Sequence, residues 1–167
     1  MRDYENAPYM RVSTDSPRQQ QQQQQSLVDL TAEDLDVHRK LLENAKDSIT
    51  KYEVISREEI GGHPVSRVAL TSISGRMHQL NVHCAAFGHP IVGDRTYGLG
   101  GDASQNGGLS DEELERLAYN PGRASVELLE KIAVATSDMT MCVHAKSISF
   151  IHPETDELVS LSSDAPF

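Results

Sequence analysis

Residues 74–98 read S-G-R-M-H-Q-L-N-V-H-C-A-A-F-G-H-P-I-V-G-D-R-T-Y-G, and the remaining chain organises itself around them. Ser74 is a good helix cap, and the spacing predicts a helix from about residue 76 to 87. Gly88 supplies a left-handed stop, with Pro90 just beyond. On that helix Met77, Leu80, Cys84 and Phe87 line one side, while Arg76, Gln79 and His83 fall on an adjacent stripe. Ser74-Gly75-Arg76 brings a guanidinium together with backbone N–H groups that a first helical turn leaves unpaired. Such a corner receives anions. A solvated surface arginine is the plainer reading of the same residues.

Upstream, 49–55 and 65–73 alternate in polarity and predict two strands around a Gly61-Gly62 turn. Further back, Thr31 with Asp34 opens a predicted helix over 32–45, on which Leu35, His38, Leu41, Leu42 and Ala45 share helical spacing. The seven glutamines at 19–25 cannot build a core and read as a flexible insertion. Downstream, a Gly-rich stretch covers 98–108. Ser110 with Glu113 then opens a short acidic helix to about 118, and Ser125 caps another through 134. Strands follow at 141–143, 147–151 and 158–161, with a turn at 153–156. Strands, helices and strands in that order predict an α+β fold.

The chain has 167 residues, the size of one domain. Leu, Ile, Val and Phe number 38, just above the level that marks disorder, so the fold is diluted by polar segments. Twenty-five acidic against fifteen basic residues give a net charge of −10, which argues against unspecific binding to nucleic acid or acidic lipid. The distribution is uneven: −4 over 1–59, +2 over 60–98 and −8 over 99–167, with four of the seven histidines in the central segment. An anion is welcome only there. No apolar run approaches the roughly 20 residues of a membrane span, and the N-terminus lacks the pattern of a signal or transit peptide. With Cys84 and Cys142 too few for a disulfide framework, an intracellular, soluble protein in a reducing compartment is expected.

Three chemistries fail on spacing. His78 and His83 lie five apart, which is not the pairing of a zinc helix, and His89, His144 and His152 have no Cys or carboxylate at ligand spacing. No metal is expected. Cys84 falls on the apolar side, where a thiol is a small core residue, and no nucleophile elbow or triad can be built. Gly98, Gly100 and Gly101 lack the lysine and hydroxyl of a phosphate loop and read as a flexible insertion.

The run 74–98 resembles the third motif of the RluA-type RNA pseudouridine synthases, G-R-[TS]-H-Q-[LI]-R-x-H followed by L-G-H-P-I-x-G-D-x-x-Y. The likeness is long and ungapped. Residues 3–8 (D-Y-E-N-A-P) resemble the family's D-x-x-N-x-P segment, and 49–54 (I-T-K-Y-E-V) its T-x-Y-E-V strand. The closing segments 141–145, 150–153 and 165–167 are similar to its L-L-L-H-A, F-x-H-P and A-P. The resemblance thus covers 1–16, 47–98 and 139–167. It implies a pseudouridine synthase-like domain over 1–16 and 47–167, interrupted by a glutamine-plus-helix insertion at 17–46 and an acidic, partly helical one at 99–138.

The implied fold is part of the mixed, antiparallel-sheet catalytic domain with flanking helices, its active site in a central cleft. The implied reaction flips a uridine out of ribosomal or transfer RNA, cleaves its glycosidic bond and rejoins the base through carbon, without a cofactor. Unstacking the base costs a few kcal/mol, which pocket and backbone contacts must offset. An aspartate in the family's H-R-L-D motif does the chemistry. Arg76 matches the arginine held beside it, and the same resemblance suggests RNA contacts for Gln79, His83 and Arg95. No H-R-L-D occurs in these 167 residues; Asp36-Val37-His38-Arg39 has similar letters in another order. The family's tyrosine in the strand after that motif is absent too. Met77 replaces Thr or Ser, and Asn81 replaces an arginine that could pair with RNA or a carboxylate. The expectation is the C-terminal part of a synthase, the aspartate coming from missing upstream sequence or a second chain. The rival reading is a non-catalytic RNA-binding or protein-interaction module on part of the same fold.

Overall fold

The computed structural model describes residues 9–12, 45–116 and 122–167. The glutamine run, residues 3–8 and the helix expected over 32–45 (Ala45 aside) lie outside the described residues. Strands β1 (Thr50–Ile60) and β2 (His63–Ser72) form an antiparallel hairpin. Ile60 pairs with His63, which leaves Gly61 and Gly62 as a two-residue loop with φ of 57° and 77°. Positive φ at both positions is the turn geometry whose twist matches a hairpin, and glycine adopts it without strain. The register slips between Val54 and Ser56, so Ile55 bulges. Strand β1 runs past the expected 55 because ladder pairing continues to the glycines after the apolar alternation has faded. Arg67 Nε and Nη2 donate to the Glu58 carboxylate at 2.7 and 3.1 Å, and Nη2 also donates to the Phe167 carbonyl at 2.7 Å. These bonds hold the Glu58 carboxyl below the usual carboxylate range.

Helix α1 (Gln79–Phe87) follows, and the core gathers on it. Val82, Ala85, Tyr97 and Ala103 are at most 4% exposed, with Tyr9, Met10 and Val12 packed against them. The buried side differs from the expected one: Met77 is 62% and Phe87 45% exposed, whereas Gln79, Val82 and Ala85 are buried. The helix starts three residues later than spacing suggests, and its small residues let another backbone approach. That backbone is the 3₁₀ turn Gln105–Gly108. Gly107 sits at φ 64°, and a Cβ there would lie 2.8 Å from both the Val82 carbonyl oxygen and Ala86 Cβ. Its carbonyl accepts from Val12 N at 2.8 Å. The Gly-rich stretch is therefore packed into the core.

Helix α2 (Asp111–Arg116) opens with a reciprocal cap, Ser110 N donating to Glu113 Oε2 at 2.8 Å and Glu113 N to Ser110 Oγ at 3.2 Å. Helix α3 (Val126–Ala135) is capped by Ser125, whose hydroxyl accepts from Leu128 N at 3.2 Å. Arg123 ties this segment to the end of α1, donating to the Ala86 carbonyl at 2.6 Å and Asn106 Oδ1 at 3.0 Å. Strands β3 (Ser147–Ile151) and β4 (Leu158–Ser162) make a second hairpin, its own two-stranded sheet. Residues 141–143 join neither ladder. Cys142 N instead donates to the Val92 carbonyl at 2.8 Å, which docks the segment beside α1's following loop. Helices with small antiparallel sheets make the fold α+β.

Candidate functional site

The loop before α1 carries the expected arginine. Ile73 N and Ser74 N both donate to the Ile49 carbonyl, at 3.0 and 3.4 Å, and Ile49 N donates to Ser74 Oγ at 2.9 Å. The Ser74 hydroxyl, expected to cap the helix, thus bridges the end of β2 to the start of β1 and donates its own proton to Gln79 Oε1 at 3.0 Å. His78 occupies the helix N-cap at φ 50°, ψ 24°, a left-handed conformation uncommon outside glycine. That reversal keeps Arg76 off the helix. Arg76 is exposed, its Nε donating to the Asp47 carbonyl at 3.3 Å, and its Nη1 and Nη2 groups have no partner among the described residues.

Gln79 lies beneath this loop, 5% exposed. Its Oε1 accepts from Arg76 N and Ser74 Oγ, both at 3.0 Å. Its Nε2 donates to the Ile49 carbonyl and Thr50 Oγ1, both at 2.9 Å. Both ends of the carboxamide are engaged within the protein. His78 Nδ1 lies 2.8 Å from the Tyr97 hydroxyl, which also accepts from Met10 N at 3.0 Å.

The expected stripe of Arg76, Gln79 and His83 does not form along one helix, because Arg76 precedes it. His83 is half-buried on α1, and burial pushes its imidazole pKa down. Arg95 is exposed and donates from Nη2 to the Ser137 carbonyl at 2.9 Å, which ties it to the end of α3. Among the other histidines, His144 Nε2 is 3.0 Å from the Ser163 carbonyl oxygen, and His152 Nδ1 accepts from Glu154 N and Thr155 N. Burial and the nearby Asp94 carboxylate push the Cys84 thiol up to about 11, which keeps it protonated.

Asp94 escaped the sequence reading. It is 8% exposed, and its Oδ1 accepts from Thr96 N at 2.9 Å and Tyr97 N at 3.0 Å. Its Oδ2 accepts from Asn81 Nδ2 at 2.9 Å. The residue standing where the family motif has an arginine therefore does face a carboxylate, with a neutral amide. An Asp two residues before a Thr-Tyr pair is a local turn signal that could have been found. Arg123, which grips the end of α1, had no signal.

Three relatives are similar to parts of this chain. The chain is 32% identical to the dual-specificity RNA pseudouridine synthase RluA of Pasteurella multocida over 125 residues, 75% of the chain and 41% of that protein. It is 28% identical to RNA pseudouridine synthase 5 of rice over 123 residues, 74% of the chain and 29% of that protein. The chain is a homologue of the RluA-type RNA pseudouridine synthases. A shorter, denser likeness joins it to the mouse RNA pseudouridylate synthase domain-containing protein 1, 53% identical over 60 residues, 36% of the chain and 20% of that protein. The chain spans less than half the length of these pseudouridine synthase relatives. No family model and no solved structure matches it.

Proposed function

We propose that the chain is part of an RNA pseudouridine synthase that converts uridine to pseudouridine in ribosomal or transfer RNA. The observation that carries this reading is the 125-residue alignment at 32% identity with an enzyme named for that activity. Arg76 supports it, because its guanidinium projects from a pinned loop with two donor groups unengaged among the described residues. In the isomerisation the C1′–N1 bond breaks, a C1′–C5 bond forms, the hydrogen at C5 leaves as a proton and N1 gains one. No oxidant or cofactor enters that balance.

Arg76 is the supporting residue: it orients the catalytic carboxylate and holds the nucleotide through charge-assisted hydrogen bonds. His83 and Arg95 contact RNA on the flank, His83 as the neutral ring its burial favours. Gln79 acts from below. The H-R-L-D aspartate is absent from the 167 residues, so this reading places it in sequence beyond them or in a second chain. The synthase-like domain comprises 1–16 and 47–167, with 17–46 and 99–138 as insertions relative to the family pattern. The reading places the protein inside the cell with its RNA; no described helix is long and apolar enough to cross a membrane.

The absent aspartate favours the second reading, a non-catalytic RNA-binding or protein-interaction module. One assay separates them: binding to a uridine-bearing stem-loop RNA, with tritium release from uridine labelled at C5. We expect binding without release from these 167 residues, and release once H-R-L-D-bearing sequence is joined to them. Release by the 167 residues alone overturns the placement of the aspartate. Binding that never gains release gives the field to the RNA-binding module, and absence of binding to the protein-interaction module.

A further inference from the structure

We infer that Gln79 is the positioning residue of the arginine site: its buried carboxamide clamps the Arg76 loop to the start of β1 and thereby fixes where the guanidinium meets RNA phosphate. This rests on the reading of Arg76 given above. Gln79 is 5% exposed, so it reaches RNA through another residue. Its Oε1 takes the backbone N–H of Arg76 itself and the Ser74 hydroxyl, both at 3.0 Å. Its Nε2 grips the Ile49 carbonyl and Thr50 Oγ1, both at 2.9 Å. Four hydrogen bonds from one amide join two segments that lie apart in sequence.

Other bonds tie the two ends of the loop, Ser74 with Ile49 and His78 with Tyr97, but the Arg76 N–H itself is held by Gln79 Oε1. A Cβ at Gly75 would meet nothing within 4 Å, Arg76 and Met77 are exposed, and His78 is held in a left-handed conformation. A long arginine aimed from a loose loop loses rotamer and backbone entropy each time it binds, and a pre-set loop avoids most of that loss. The carboxamide is the group suited to this task, because two acceptor lone pairs and two N–H donors match the four partners present. A carboxylate lacks the donors and an aliphatic chain lacks both.

The test is a double-mutant cycle read by affinity for a uridine-bearing stem-loop RNA and its dependence on salt. Arg76→Ala is expected to weaken binding about tenfold or more and to lower the salt slope by about one counterion. Gln79→Met is expected to weaken binding comparably, and to add almost nothing on the Arg76→Ala background. Losses that multiply in the double variant overturn the inference and leave the reading of Arg76 intact. Unchanged binding and slope in Arg76→Ala sink the nucleotide-holding part of that reading, and the inference with it. Should Gln79→Met fail to fold, amide exchange in the unaltered chain decides: the Arg76 N–H is expected to be protected despite its exposed loop, and exchange at the unstructured rate overturns the clamp.

Discussion

Tyr97 joins separate parts of the chain through one oxygen. Its hydroxyl accepts from Met10 N and meets His78 Nδ1, and its ring stands edge-on to Tyr9 at 6.2 Å. Tyr97→Phe keeps the ring but strands both partners, so a loss of about 1–3 kcal/mol is expected, read as a lower urea midpoint at unchanged slope. His83 adds a pH dependence. Burial depresses its pKa below the ordinary 6.5, so the unfolded chain takes the proton first. Its contribution is therefore complete above about pH 6.5 and lost as pH falls through the folded value; His83→Gln is expected to flatten stability across that window. Cys84 has the opposite slope. Its thiol is pushed up to about 11, so stability declines from about pH 9 upward, and native-state alkylation is expected to stay slow at pH 8. Arg76 was legible in the sequence because a motif of some twenty residues surrounds it. Gln79's burial was not, since a polar residue at a helix start looks solvated until its four partners are placed by distant strands.

At the scale of elements, both hairpins and the two capped helices could be read locally, because Gly61-Gly62, Ser110 with Glu113, and Ser125 each specify a backbone geometry by themselves. The start of α1 could not. Ser74 has the right chemistry for a cap, yet its hydroxyl is taken by Ile49 N and Gln79, a contact across the hairpin that no local pattern reports. The Gly-rich stretch misled for a similar reason, since glycines permit flexibility and close approach alike. Gly107→Ala separates the two. Its positive φ and the 2.8 Å approach to α1 leave no room for a methyl, so a destabilisation of about 1–3 kcal/mol is expected on chemical denaturation. A packed turn feels that methyl; a loose loop would not.

The described residues as a whole keep much of their apolar surface in water. Tyr52, Val54, Ile55 and Val68 on the first hairpin and Ile148, Phe150, Leu158 and Leu161 on the second are between 37% and 69% exposed. Among the described residues each sheet has two strands, so both of its strands are edges there. Association that grows with protein concentration is expected in light scattering, and Leu161→Lys on β4 is expected to reduce it. The overall charge of −10 opposes such contacts, so raising the salt is expected to strengthen them. The α+β class was legible from element order, whereas the separateness of the two sheets was not, because pairing between hairpins leaves no mark on local alternation.

The bond from Met10 to Tyr97 also sets a timetable. The two residues are 87 positions apart, and Val12 waits still longer for Gly107. At the ~5–20 residues per second of synthesis, Met10 is added to the chain roughly 4–17 seconds before its acceptor exists. The seven glutamines and the whole first hairpin are made during that interval. A segment made well ahead of its partner is thus among the last to be secured, and whatever captures residues 9–12 in those seconds competes directly with the core.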